Sequence, residues 1–133
     1  HLSKRYEDMD DTSYHAMADK HPVRKHFYKR MNKTGFGTKE TEEALDRLDG
    51  AAQRVADTMD GHGKDWIIGD MHSVVDAAYM PTVDRMIDLG LGDMIKRRPS
   101  LKSWYDRYSA RDSFLKTFYQ GTRLTEIFGK DIA

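Results

Sequence analysis

At 133 residues the chain has the length of a single domain. Lysine plus arginine balance aspartate plus glutamate at 22 each, which excludes a strongly basic nucleic-acid binder and an acidic tail. The lack of cysteine excludes a disulfide framework and a thiol nucleophile, and no apolar run approaches the roughly 20 residues needed to cross a membrane.

Almost every segment reads as helix, because β-branched alternation is rare and Gly and Pro fall between helical patterns. The first residues are polar, with Glu7 to Asp11 read as a surface loop or the lead-in to a helix, and a short helix is expected from about Thr12 to Lys20. Pro22 suits the first turn of a second helix reaching about Lys33, in which Val23, Phe27 and Met31 recur at four-residue steps. Gly35-Phe36-Gly37 is a loop, and without a preceding strand it makes no phosphate cradle. The clearest amphipathic helix runs from about Thr38 to Met59. Thr38 can cap it, and Glu40, Glu42 and Glu43 complement its dipole. Leu45, Leu48, Ala52, Val55 and Met59 form one apolar stripe. Residues Asp60 to Lys64 read as a flexible turn that ends this helix.

Ser73-Val74-Val75-Asp76 is a helix start. Ser73 can accept from the backbone N–H three residues on, while Asp76 reaches back to the N–H of Ser73. The following residues (Val74, Val75, Ala77, Ala78, Met80, Val83, Met86, Ile87, Leu89) are apolar on nearly every face, so this helix is expected to be buried. Pro81 lies inside it and predicts a bend, and Gly90 and Gly92 stop it. A short helix is expected around Leu91 to Lys96. Lys96-Arg97-Arg98 is read as a helix end and loop facing water. Pro99 starts another helix with Leu101, Trp104, Tyr105 and Tyr108 on one face. A further helix from about Ser113 carries Phe114, Leu115 and Phe118, and Leu124, Ile127 and Phe128 form a last apolar set. Together these elements predict an all-α helical bundle.

At this point the residues resemble a known family. Trp66-Ile67-Ile68-Gly69-Asp70, then Ser73-x-x-Asp76, Pro81 and Arg85, resemble a motif of the glutathione transferase C-terminal domain. Arg98-Pro99-Ser100-Leu101-Lys102-Ser103-Trp104, followed by Arg107 and the run Ala110 to Phe114, resembles that domain's downstream stretch, in the right order and at the right separation. The resemblance covers roughly residues 38–120. Residues 1–37 are most similar to bacterial members acting on chlorinated aromatics or aryl ethers.

The resemblance implies the C-terminal helical domain of a two-domain protein, whose first long helix is missing here or represented only by its end. A thioredoxin-like N-terminal domain, outside this chain, would hold glutathione and the thiol-activating residue. No residue here is therefore assigned a catalytic role. The parent would bring glutathione thiolate to a hydrophobic electrophile and would form a homodimer, with the helix from residue 38 to 59 as a contributor to the contact; that its stripe serves the core alone is the alternative. No nucleic acid, membrane or metal is expected as a partner, and the protein is expected in the cytoplasm. No secretory signal is visible. The chain opens on His1 rather than Met, as an excerpt or a processed product does.

Ser73 and Asp76 match the family's capping box, which implies a folding role. His72 and Ala77 stand where the family carries a bulky apolar pair, so the staple is weakened and the box itself matters more. Met80 falls where omega-class members place a substrate-pocket aromatic, and a plain core methionine is the alternative. Leu124, Ile127 and Phe128 fall where such members close the pocket with their C-terminal segment; an ordinary packed tail is the alternative. Tyr14, Tyr28 and Tyr119 are further pocket candidates of which none stands out, and His15, His21, His26 and His62 lack metal-ligand spacing. The rival reading is a non-catalytic relative that serves as a protein-interaction module.

Overall fold

A computed structural model of the chain describes residues 5–129. These contain eight helices and no strand: α1 (Asp11–Asp19), α2 (Lys25–Met31), α3 (Thr38–His62), α4 (Val74–Asp88), α5 (Asp93–Lys96), α6 (Pro99–Ser109), α7 (Asp112–Thr117) and α8 (Leu124–Phe128). The expected all-α class is thus what the chain adopts. It divides into two compact units, one up to Arg47 and one from Leu48 onward.

The first unit is organised by tyrosines. Asp10 caps α1 by accepting from the Ser13 N–H at 2.9 Å, the short-range bond that aspartate makes at such positions. Tyr14 is buried and donates its hydroxyl to the Tyr28 carbonyl at 2.7 Å, so the polar tip of a core ring is satisfied. Ala18, Tyr28 and Met31 complete this small core, with Tyr6, Met9 and Met17 packed against it. The second helix starts at Lys25, later than Pro22 suggests. Residues 21–24 form a turn closed by the Arg24 N–H on the His21 carbonyl at 3.1 Å, which puts Pro22 at the position where turns favour proline. Val23 is accordingly 94% exposed and Phe27 half-exposed, while Tyr28 faces inward with Met31.

Helix α3 begins one residue after its cap. The Gly37 carbonyl accepts from the N–H of Thr41 and from its hydroxyl, so the cap position is Gly37 and Thr38 is already helical. The helix also runs past its expected end, through Gly61 to His62. Gly63 stops it by taking φ 63°, with its N–H on the Met59 carbonyl at 2.8 Å. Only the second glycine of the pair meets the left-handed geometry of a helix terminus. His62 is held there, its Nδ1 accepting from the Lys64 N–H at 2.9 Å and its Nε2–H on the Ile67 carbonyl at 3.1 Å.

In the second unit Ala52, Ala56 and Met59 of α3 pack into one core with Met80, Val83, Met86, Ile95, Leu101, Trp104, Tyr108 and Phe114. Leu48 and Val55 pack against it, so the stripe from Leu48 to Met59 serves the chain's own core. Each fully buried large side chain contributes about 1.5–3 kcal/mol. Helix α4 departs from the sequence expectation. It buries one stripe (Asp76, Met80, Val83, Asp84, Met86) and leaves Val74, Val75, Ala77, Ala78 and Pro81 exposed. Pro81 sits on that open face, and it leaves the Ala77 carbonyl without its usual helical hydrogen bond.

Arg98 also departs from the expectation of a water-facing loop. Only 7% of its side chain is exposed. Its guanidinium pairs with the Asp49 carboxylate at 2.9 Å, donates to Gln53 Oε1 at 2.9 Å and reaches the Met94 carbonyl. A planar fork with several donors suits such a site, and here it ties α3 to the α5–α6 corner. Arg98 also holds the Asp49 carboxyl below the usual carboxylate range, with Arg97 adding to the effect.

Candidate functional site

The residues from Trp66 to Trp104 converge on one carboxylate. The loop after α3 folds back on itself, with Trp66 and Gly69 exchanging backbone hydrogen bonds at 3.1 and 3.3 Å. That turn points the Ile67 N–H at Asp76 Oδ1, 3.0 Å away. Oδ1 also accepts from Trp104 Nε1 at 2.8 Å, and Oδ2 accepts from the Ser73 N–H at 2.8 Å and the Ser73 hydroxyl at 2.6 Å. The Asp76 N–H faces Ser73 Oγ as a capping box requires, but the hydroxyl's one good hydrogen bond is the one it donates to the carboxylate. Asp76 is fully buried. Burial pushes its carboxyl up, yet the hydrogen bonds from Ser73, Ile67 and Trp104 outweigh that and hold it below the usual carboxylate range. A carboxylate whose lone pairs are all engaged by the fold is a structural junction, with no free edge for proton transfer.

Met80 lies one turn further along α4 and is 1% exposed. It faces a small cavity of about 220 Å³ lined also by Ala77, Pro81, Tyr108, Ser113, Phe114, Thr117 and Phe118. No charged side chain lines this space. It opens beside the uncovered face of α4, where Val74 is 80% exposed. A second, shallower groove of about 400 Å³ runs along the same helix between Leu48, Pro81, Arg85, Met86, Leu89 and Leu91.

The C-terminal helix is tethered at the other end of α4. Asp88, whose side chain is 1% exposed, accepts from the backbone N–H groups of Leu124 and Thr125 at 2.9 and 3.3 Å and from the Thr125 hydroxyl. Its carboxyl is pushed up by burial and brought below the usual range by those hydrogen bonds, with the charge of Arg85 assisting. Asp84 receives Arg123 at 2.9 Å on the same side of the helix. The first turn of α8 is therefore capped in trans by a neighbouring helix. Leu124 is half-buried there and Ile127 is 54% exposed; the side chain of Phe128 lies outside the described residues. Leu124 and Ile127 do not line the Met80 cavity, so the structure does not bring the four substrate-side candidates together.

Two features of this region escape a sequence reading. Trp66 carries the guanidinium groups of Arg107 and Arg111 at 5.7 and 5.5 Å from its ring centre, and Arg107 also binds Asp65. Asp88 is a buried cap for a helix that starts 36 residues later. No local spacing signals either contact. Among the described residues no group of His, Asp or Glu is arranged to hold a metal ion, and no helix is long and apolar enough to cross a membrane.

Comparison with known proteins bears on what this arrangement belongs to. No curated protein and no solved structure matches the chain. The family described as "Glutathione S-transferase, C-terminal domain" matches residues 40–107, more than half of the chain, from the first turn of α3 through most of α6. That span contains the Ser73–Asp76 helix start, the Ile67 turn, the buried Arg98 and Trp104. With the helical fold and the Asp76 junction in place, the chain belongs to the glutathione S-transferase C-terminal domain family.

Proposed function

We propose that this chain is the substrate-side domain of a glutathione transferase-like enzyme, in which glutathione held by a thioredoxin-like domain attacks a hydrophobic electrophile. The observation that carries the reading is the family match across α3 to α6. The open apolar face of α4 beside the Met80 cavity supports it. Val74, Ala77, Ala78 and Pro81 on that face are exposed, as a surface meant for another domain requires. The cavity suits an apolar molecule. Its uncharged lining does not suit glutathione, whose carboxylates and ammonium need charged partners, so the tripeptide is assigned to the other domain.

In the reaction a sulfur–carbon bond forms at the electrophilic carbon as its leaving group departs with the bonding electrons. This chain's part is to orient the electrophile against the thiolate and to exclude water. Met80, with Tyr108, Phe114 and Phe118, would form the wall of that space. Leu124, Ile127 and Phe128 are kept on the substrate side from the family resemblance alone. A homodimer and a place in the cytoplasm complete the reading.

The test is conjugation of chlorodinitrobenzene by the full-length protein together with capture on immobilised glutathione. Activity and capture are expected, while this chain by itself should bind glutathione only above millimolar concentrations. Submillimolar binding by this chain would show that the site has been misplaced. Failure of the full-length protein both to conjugate and to be captured would favour the non-catalytic interaction module.

A further inference from the structure

The first unit holds a cavity of about 540 Å³ between α2 and the first turns of α3. A volume of this size lies within the range of small-molecule pockets. Its aromatic wall is made by Phe27 and Phe36, whose rings meet edge to face with centres 5.5 Å apart. Both are about two-fifths exposed, at 43% and 42%. Neither ring belongs to the tyrosine core of this unit. Two aromatic rings left half-open on one concave surface are poised to take a third.

The polar side of the cavity is cationic. Arg30 and Arg47 line it together with His26. Among the described residues neither arginine has a carboxylate within salt-bridge distance, whereas nearby Lys25 and Lys29 both pair with Asp19. The acidic group of the lining is Glu40, and it turns back toward its own helix start. Its Oε2 lies so close to Gly37 that a Cβ there would stand 2.8 Å from it. Glu40 thus does not neutralise the arginines.

We propose that this cavity binds a planar aromatic carboxylate, with the ring system packed against Phe27 and Phe36 and the carboxylate held by Arg30 and Arg47. Guanidinium groups bind carboxylates through two parallel charge-assisted hydrogen bonds, and unpaired arginines need no existing ion pair to be broken first. Glu40 sets a limit on charge, because its carboxylate disfavours a second anionic group on the same molecule.

The probes are 2-naphthoate and its uncharged analogue 2-naphthamide, titrated into the full chain by calorimetry. Expected is saturable one-to-one binding of 2-naphthoate with a Kd below about 1 mM, at least tenfold tighter than the amide and weakening as salt is raised. Arg30→Gln/Arg47→Gln is expected to lose about tenfold or more for the acid and little for the amide, and Phe36→Ala to weaken both. All three substituted positions are exposed, and a wild-type circular dichroism spectrum checks that each variant is folded. Equal affinity for acid and amide would overturn the proposal, as would wild-type binding of 2-naphthoate by the double arginine variant. If sedimentation shows that the variants change self-association while 2-naphthoate binding stays the same, the face is a contact between copies and the ligand site is refuted.

Discussion

Replacing Asp76 tests whether one buried carboxylate organises the second unit. In the wild type it accepts four hydrogen bonds, from the Ile67 N–H, the Trp104 Nε1–H and the N–H and hydroxyl of Ser73. Asp76→Ala leaves the Ile67 N–H and the Trp104 Nε1–H buried without an acceptor, at a cost of about 1–3 kcal/mol each. Loss of the helix start adds about 0.5–2 kcal/mol. The total is about 2.5–8 kcal/mol against a stability of roughly 5–15 kcal/mol for an ordinary domain, so this variant should lose a large share of its stability. Asp76→Asn is the sharper probe. Its carbonyl can still accept from Ile67 and Trp104, and the Ser73 hydroxyl can reverse to accept from the new amide. Only the Ser73 N–H then faces a donor, which predicts a loss of about 1–3 kcal/mol. Urea unfolding followed by far-ultraviolet circular dichroism and by tryptophan fluorescence measures both variants. If Asp76→Asn and Asp76→Ala unfold at the same midpoint, within error of wild type, the junction carries no stability and the reasoning fails.

Ser73→Ala removes the hydroxyl bonded to Asp76 and should cost about 1 kcal/mol, lowering Tm by several degrees; an unchanged Tm would contradict it. Arg98→Lys keeps the charge but loses the fork that joins Asp49, Gln53 and Met94, and should cost about 1–3 kcal/mol in urea unfolding; a loss under 0.5 kcal/mol, roughly a surface effect, would mean the buried pair is dispensable. Asp88→Asn should speed amide hydrogen exchange at Leu124 and Thr125 while the core of α4 and α6 stays protected; uniform protection would refute the tether. The folded-state pKa values of Asp76 and Asp88 lie below the ordinary carboxylate value, so the fold favours their ionised forms. The stability they contribute is fully present above about pH 4–5 and is lost as pH falls through the lower folded values. The urea midpoint should therefore drop on the acid side, and the Asp76→Asn/Asp88→Asn variant should have a flatter acid limb; parallel limbs would refute the assignment.

Local spacing carried much of the fold. The Ser73 helix start, the α3 stripe and the Leu101–Trp104–Tyr108 face lie within a few residues of their own signals, and each forms as the spacing predicts. What stayed hidden depends on partners far along the chain. Arg98 reads as a solvent-facing charge because Asp49 and Gln53 are more than 40 residues away. Asp76 reads as a two-residue cap because nothing local shows that Ile67 and Trp104 will also reach it. Turn chemistry likewise prevailed over helix periodicity at Pro22, and the geometry of a left-handed terminus selected Gly63 over Gly61.

The misreading of α4 has a different character. Its composition says buried on all sides, and the second unit buries only one stripe of it. The surplus is ordered. Val74, Ala77, Ala78 and Pro81 recur at helical spacing on one open face, and Ala77 and Pro81 are also on the edge of the Met80 cavity. Scattered surface aliphatics would need no explanation, but a continuous stripe leading into an uncharged cavity does. If that stripe receives the other domain of a transferase, polar replacements on it should leave this chain as stable as before and weaken the full-length enzyme. Val74→Lys should leave the urea midpoint of this chain within about 0.5 kcal/mol of wild type, since its side chain is already 80% exposed. In the full-length protein the same change should lower the midpoint of the coupled unfolding transition and raise KM for the hydrophobic electrophile. Equal behaviour of the two proteins would show that α4 has no partner on that face, and the two-domain reading would lose its structural support.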